Sequence, residues 1–214
     1  VRLTQVLIGW FGSFYQWLTE RLYHEFAWAY DAVSWLVSLG RWDAWRKQAI
    51  PYLVGSRVLE LGFGTGELLI ELRRRGFLAV GVEPSVAMQR VTQRKLRRRG
   101  FADIPRVRCR AQNLPFASGS FDSVTATFPA GYIFDPDTHR EVKRVLRGDG
   151  RGRFVIVGMS INLAGRVVRW AGGRRIPGED VGALWSEHWR VRVIAPENAR
   201  LCLPVVVLEA RRGD

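Results

Sequence analysis

Cysteine, histidine and lysine are all scarce in this 214-residue chain, and each scarcity removes a class of protein. Two cysteines, Cys109 and Cys202, are too few for a disulfide framework and point to a reducing compartment, so a cytoplasmic location is expected. The three histidines, His24, His139 and His188, lie far apart and no C-x-x-C occurs, so no metal site is expected. Only Lys47, Lys95 and Lys143 are lysines among 33 basic residues, so the net charge of +13 is carried almost wholly by arginine. An arginine excess fits codon bias as well as it fits an anionic partner, and composition does not separate the two. Internal repeats and low-complexity tracts are also lacking. The length suits one domain with a modest appendage, large enough to bury a full α/β core.

What is present centres on residues 57–84, RVLELGFGTGELLIELRRRGFLAVGVEP. A short apolar run carries Glu60 near its end; Gly62, Gly64 and Gly66 follow at alternate positions; a helical pattern begins at Glu67; a second strand over 78–82 delivers Glu83. This is the strand–glycine loop–helix–strand–acid unit of a nucleotide-binding α/β sheet. Glycines allow a tight turn and bring backbone N–H groups against a ligand, and an acid ending the second strand can accept hydrogen bonds from both hydroxyls of a ribose. A tight turn with no ligand is the alternative reading of the same glycines. A dinucleotide fingerprint G-x-G-x-x-G needs glycine at position 67, where Glu67 would instead set negative charge beside a pyrophosphate.

The run E-x-G-x-G-x-G from Glu60 to Gly66 resembles the first motif of S-adenosyl-L-methionine (SAM) dependent methyltransferases with the Rossmann-like fold. SAM is a sulfonium with an amino-acid tail, so nearby acids favour it. The resemblance implies Gly62, Gly64 and Gly66 near the methionine part, Glu60 on its amino group and Glu83 on the ribose. Farther on, A-x-x-L-P-F-x-x-x-S-F-D-x-V from Ala111 to Val124 resembles the type-11 methyltransferase family. That resemblance adds Pro84, Met88, Ala111, Gln112, Asn113 and Thr127 to the expected cofactor site, with Met88 near the adenine. An Asp usually precedes the Ala there and holds the adenine amino group. Here the position is Arg110, which has donors only, so Gln112 or the Ala111 backbone is expected to take over.

The first 56 residues read as a separate helical extension. They hold six of nine tryptophans, Trp10, Trp17, Trp28, Trp35, Trp42 and Trp45, yet only five basic and four acidic residues. Residues 3–19 follow helical apolar spacing through Leu3, Val6, Leu7, Trp10, Phe14 and Trp17. The stretch is too interrupted for a spanning helix and lacks the pattern of a signal peptide. Two readings stay open, a helix folded over the catalytic domain and a helix lying in a membrane interface. A Tyr30-Asp31 pair and then Gly40-Arg41-Trp42-x-x-Trp45-Arg46 is loosely similar to the lead-in of quinone-biosynthesis C-methyltransferases. That likeness implies a region that lids the cofactor and shapes the acceptor pocket.

The rest of the pattern completes a sheet. Ser85 reads as an N-cap for a helix to about residue 99 with a solvated arginine face; residues 106–110, 120–127 and 153–158 read as strands, and 190–195 with 204–210 as a terminal strand pair. Residues 135–150 read as helix and turn, with His139 capping or decorating that helix. Residues 160–173 form a second amphipathic segment edged by Arg166 and Arg169.

The expectation is an α/β fold, a Rossmann-like, seven-stranded, mostly parallel sheet with an antiparallel C-terminal hairpin. Residues 1–56 form the helical extension and 57–214 the SAM-binding domain. The expected activity is methyl transfer from SAM to a small or lipidic apolar acceptor, such as a phospholipid headgroup or quinone precursor, with peripheral membrane association at the inner face. Nucleic acid is disfavoured, because Phe128-Pro129-Ala130-Gly131 is not the Asn- or Asp-Pro-Pro-aromatic motif of base-amine methyltransferases. RNA or protein methylation and SAM binding without catalysis stay as alternatives. No base stands out; Tyr30, Tyr132, His188 and His24 are the candidates. Oligomeric state is not encoded in any readable pattern.

Overall fold

Short runs of Val, Leu, Ile and Ala bounded by glycine and charged residues make up the centre of this protein, as in strands buried on both faces. A computed structural model describes residues 41–158, 185, 189–194 and 205–210. Seven strands form one sheet: β1 (Arg57–Leu61), β2 (Leu78–Val82), β3 (Arg106–Val107), β4 (Ser123–Thr127), β5 (Arg153–Val157), β6 (Trp189–Ile194) and β7 (Val205–Ala210). Their order is β3-β2-β1-β4-β5-β7-β6. The first five strands pair in parallel, and β7 is antiparallel to both β5 and β6. The strand order reverses between β1 and β4, which opens a crevice beyond their carboxyl ends.

The described helices are α1 (Trp42–Lys47), α2 (Glu67–Arg74), α3 (Val86–Arg98) and α4 (Pro136–Val145). Alternation along the strands sorts the core. Leu59, Leu61, Val124, Ala126, Phe154 and Ile156 meet Val142 and Val145 of α4 on one face. Val58 and Ala79 meet Leu68, Leu69 and Leu72 of α2 and Leu96 of α3 on the other. Ser85 caps α3 by accepting from the Met88 N–H at 3.3 Å, and Asp135 caps α4 by accepting from the Asp137 N–H at 2.9 Å.

Part of the expected extension belongs to this core. Ala49 and Ile50 are buried, and the Arg153 guanidinium donates to the Tyr52 carbonyl at 3.2 Å. Residues 41–56 therefore pack as part of the domain, while 3–19 and 160–173 lie outside the described residues.

Three details differ from the sequence expectation. β3 ends at Val107 instead of 110, where the Val107 carbonyl accepts from the Glu83 N–H at 3.2 Å and the Gln89 amide at 3.2 Å. β4 starts at Ser123, not 120; Phe121 makes only a lone bridge to Leu146. His139 is buried instead of decorating the surface of α4. Its Nε2 lies 2.7 Å from the Ile133 carbonyl, and its ring sits among Phe154, Trp185 and Trp189.

Asp122 ties the start of β4 to the start of β1. Its Oδ2 accepts from the Ser56 and Arg57 N–H groups at 3.1 and 2.9 Å, and its Oδ1 accepts from the Arg57 guanidinium at 3.0 Å. Gly55, at φ +65°, leaves room for this carboxylate, since a Cβ there would lie 2.4 Å from the Asp122 side chain. Burial alone would raise the Asp122 carboxyl, but the Arg57 guanidinium and the two N–H groups outweigh it and hold the carboxyl below its ordinary range. Asp122→Ala should therefore lower stability by about 2–3 kcal/mol in urea unfolding at pH 7. The deficit should shrink as pH falls through the depressed carboxyl value. A loss below about 0.5 kcal/mol at pH 7 would remove Asp122 from this role.

Candidate functional site

The loop joining β1 to α2 turns over the end of β2. Gly62 and Gly66 take φ values of +67° and +76°, a region where a side chain would be strained. A Cβ on Gly66 would also strike Thr92, 2.6 Å away, whose hydroxyl donates to the Gly64 carbonyl at 2.7 Å. The N–H groups of this loop are engaged internally. Gly62 N–H donates to the Val82 carbonyl at 2.8 Å, Gly66 N–H to the Phe63 carbonyl at 2.8 Å, and Gly64 N–H to Glu83 Oε2 at 3.2 Å. This corrects the expectation of glycine N–H groups facing a ligand. With a carboxylate already seated on it, the loop is not a cradle for phosphate.

Glu83 ends β2 with no exposed surface, and its Oε1 accepts from the Ser85 N–H at 2.9 Å. Glu60, one strand over, is 2% exposed and its Oε2 has no hydrogen-bond partner among the described residues. Burial pushes the Glu60 carboxyl up to about 8; the Arg46 guanidinium of α1 opposes that rise and the Glu83 carboxylate adds to it. Two buried acids at adjacent strand ends favour a cationic ligand.

Beside them lies a cleft of about 230 Å³, lined by Gly62, Val82, Pro84, Cys109, Arg110, Ala111, Gln112 and Tyr132. Gln112 donates its amide to Asp135 Oδ2 at 3.0 Å; because a carboxylate only accepts, the Gln112 amide is fixed with its carbonyl left to accept from a ligand. Burial pushes the Cys109 thiol up, away from thiolate chemistry.

Of the expected cofactor residues, Gly62, Pro84, Ala111 and Gln112 line this cleft, and Glu60, Gly64, Gly66 and Glu83 build the loop and acids beside it. The other three neither line it nor belong to that loop and its acids. Met88 is fully buried in the first turn of α3, Asn113 is exposed with its N–H on the Arg110 carbonyl, and Thr127 is half-buried at the end of β4. Tyr132 lines the cleft but does not suit the role of a base. Its hydroxyl donates to the Leu61 carbonyl at 3.2 Å, and burial, then the Glu83 and Glu60 carboxylates, push the phenol far above its ordinary value. Tyr30, His24 and His188 lie outside the described residues.

Sequence reading missed an aromatic pair at the end of β4. Phe128 holds φ +50°, and its ring stacks on Trp42 of α1 with centroids 3.9 Å apart. Gly158 at the end of β5 makes room for that ring, since a Cβ there would lie 2.4 Å from it.

Comparison with known proteins bears on this arrangement. A family model described as a methyltransferase domain matches residues 58–150. The chain is 35% identical over 150 residues to the ubiquinone/menaquinone biosynthesis C-methyltransferase UbiE of Stenotrophomonas maltophilia, which covers 64% of this chain and 58% of that relative. It is 32% identical over 142 residues to the UbiE of Geotalea uraniireducens, covering 62% and 60%. The chain thus spans under two thirds of the length of these relatives. Among solved structures, a SAM-dependent methyltransferase from Aquifex aeolicus superposes with a TM-score of 0.59 at 16% identity, over 79% of this chain and 91% of that one. A geranyl diphosphate methyltransferase in complex with SAM does so with a TM-score of 0.59 at 20% identity, over 79% and 85%. These likenesses establish the fold.

Glu60 should act as a pH-dependent load on the fold. A carboxyl raised from 4.5 to about 8 favours the folded state least once pH has risen through that window. Glu60→Gln should raise the melting temperature by several degrees at pH 8 and by much less near pH 5. An equal shift at both values, or a loss at pH 8, would contradict the buried, uncompensated carboxyl.

Proposed function

We propose that this chain, whose residues 58–150 match a methyltransferase-domain family model, moves a methyl group from SAM to a ring carbon of an apolar aromatic acceptor of the quinone-precursor kind. The observation that carries the SAM part is the pairing of an internally satisfied glycine loop with two buried carboxylates, which suits a sulfonium amino acid and not a dinucleotide pyrophosphate. The acceptor part rests on the similarity to the UbiE relatives and on the Trp42–Phe128 stack, a pair of aromatic faces at the strand end where an acceptor reaches the crevice.

When bound, SAM supplies an electrophilic methyl carbon whose bonding pair stays on sulfur, while the acceptor carbon gives up a proton. This chain's residues bind and align. Gln112, which lines the cleft with its amide held by Asp135, is assigned to accept from the adenine amino group in place of the Asp that Arg110 replaces. Glu83 accepts from the Gly64 and Ser85 N–H groups at the end of β2 and is assigned to the ribose. Glu60 is the partner for the tail's ammonium. Catalysis then comes mainly from orientation in a dry site. Proton removal falls to water or to a residue outside those described, because Tyr132 is too weakly acidic and His139 is enclosed by aromatic rings.

We carry the membrane reading in the same proposal. A tail-bearing acceptor would be met at a membrane surface through the Trp-rich residues 3–19 and the arginine-edged residues 160–173. Among the described residues no helix is long and apolar enough to cross a membrane.

Two measurements test this reading. Calorimetric titration should show binding of S-adenosylhomocysteine and none of NAD. Methyl-labelled SAM should then label a demethylated quinone precursor in preference to phospholipid. NAD binding would overturn the cofactor reading; label in phospholipid alone would overturn the acceptor reading.

A further inference from the structure

Between Pro84 and Phe121 the chain carries nine basic residues and one acid, Asp103, so this stretch holds more than half of the net charge of +13. A codon bias raises arginine everywhere and does not clear acids from one stretch. The stretch forms α3 and β3, and β3 lies at one end of the sheet. Along α3, Met88, Thr92 and Leu96 are buried against the core. Arg90, Arg94 and Arg97 recur at helical spacing on the opposite face, all exposed, with Arg98 beside them. The neighbouring cations are already paired: Lys95 and Arg99 both meet Glu67 of α2, at 2.9 and 2.6 Å. Asp103 is taken by Arg73, so the stretch keeps no acid to neutralise its outer face.

Arg106 continues this face onto β3. Its Nε is buried with no hydrogen-bond partner among the described residues, and its Nη1 reaches the Ile104 carbonyl only at 3.5 Å. Burial, then the nearby Arg97 guanidinium, hold Arg106 below its ordinary value. Two like charges so placed repel, and an anion shared between them relieves the repulsion. Arg108, exposed two residues on, donates to the Pro84 carbonyl at 3.1 Å, which brings its charge to the start of α3.

The start of the same face is apolar. Val86 is 38% exposed one turn before Arg90, and Pro84, exposed just ahead of it, lines the cleft. A surface for single-stranded nucleic acid adds aromatic rings on which bases stack. The large apolar side chains exposed among the described residues are Leu78, Val86 and Val193, none of them aromatic. An apolar tip beside a row of arginines fits a bilayer, whose phosphates meet the guanidinium forks while apolar side chains enter the interface.

We propose that the arginine face of α3 and the β3 edge dock this protein on an anionic phospholipid bilayer. The proposal rests on the apolar-acceptor reading above and adds a surface to it, separate from residues 3–19 and 160–173. Pro84 stands both at the head of this face and in the wall of the cleft. Docking there sets the mouth of the cleft at the rim of the contact, where a tail-bearing acceptor is met.

The experiment measures co-sedimentation of the full chain with phosphatidylcholine vesicles, with and without phosphatidylglycerol. Two triple variants remove equal charge from exposed arginines: Arg90→Gln/Arg94→Gln/Arg97→Gln on the face, and Arg140→Gln/Arg151→Gln/Arg192→Gln elsewhere. Thermal melts confirm folding, and calorimetry with S-adenosylhomocysteine reports on the cofactor site. The wild type should bind the phosphatidylglycerol vesicles, release them as salt rises, and leave phosphatidylcholine alone unbound. At about fivefold per arginine, the face variant should bind roughly a hundredfold more weakly, with its S-adenosylhomocysteine affinity unchanged. The control variant should bind nearly as the wild type does. Equal loss in both variants would reduce the effect to net charge and overturn the face; equal binding to both vesicle types would overturn its anionic partner. Tighter binding to single-stranded RNA than to the charged vesicles would also overturn the proposal. Vesicle binding without S-adenosylhomocysteine binding refutes the methyltransferase reading and leaves the docking face standing; the reverse refutes the docking face alone.

Discussion

Two carboxylates, Glu60 and Glu83, sit buried at the ends of adjacent strands, and much of the surrounding architecture answers to them. A buried ionised acid is tolerated only with hydrogen bonds or a cation to hold it. The two have been handled differently. Glu83 is held by the N–H groups of Gly64 and Ser85, so it doubles as the peg on which the glycine loop and the start of α3 hang. Glu60 has no such partner for Oε2 among the described residues and stays mostly protonated at neutral pH. One acid is structural and the other is kept in reserve.

That asymmetry divides the crevice. The cleft has one polar side chain already oriented, Gln112 by Asp135. Beside it, Glu60 Oε2 has no hydrogen-bond partner among the described residues. Tyr132 lines the cleft and donates to the Leu61 carbonyl from a short turn at Gly131–Phe134. Around this, Asp122 at the opposite end of β1 and β4 keeps the two central strands in register. Asp122 thus ties the starts of β1 and β4, and the two buried acids and the cleft lie at the opposite ends of the strands.

Local chemistry made much of this legible in the sequence. The Glu60–Gly66 run, the helix start at Glu67, the Leu78–Val82 strand and the Ser85 cap all depend on neighbours within a few residues, and they stand where the pattern put them. What escaped depends on partners far along the chain. Asp122 finds Ser56 and Arg57 across about 65 positions, and His139 is enclosed by Trp185 and Trp189. The Phe128 stack needs Trp42 and the missing side chain of Gly158 together. The spacing of glycines also could not say where their N–H groups point; the carboxylate of Glu83, nineteen residues on from Gly64, decides that. The sequence left open whether Gln112 or the Ala111 backbone stands in for the Asp that Arg110 replaces, and it did not reveal that the Gln112 amide donates to Asp135.

The central claim is that Glu60 is neutral in the free protein and becomes the charged partner of a cationic ligand. The direct measurement is the number of protons released when S-adenosylhomocysteine binds, obtained by calorimetry at pH 7 in buffers of different ionisation enthalpy. With the Glu60 carboxyl raised to about 8, binding an ammonium should drive its proton off, releasing close to one proton at pH 7 and almost none above pH 9. The release should vanish in Glu60→Gln. Binding with no proton released at pH 7, or release that persists in that variant, would contradict the account.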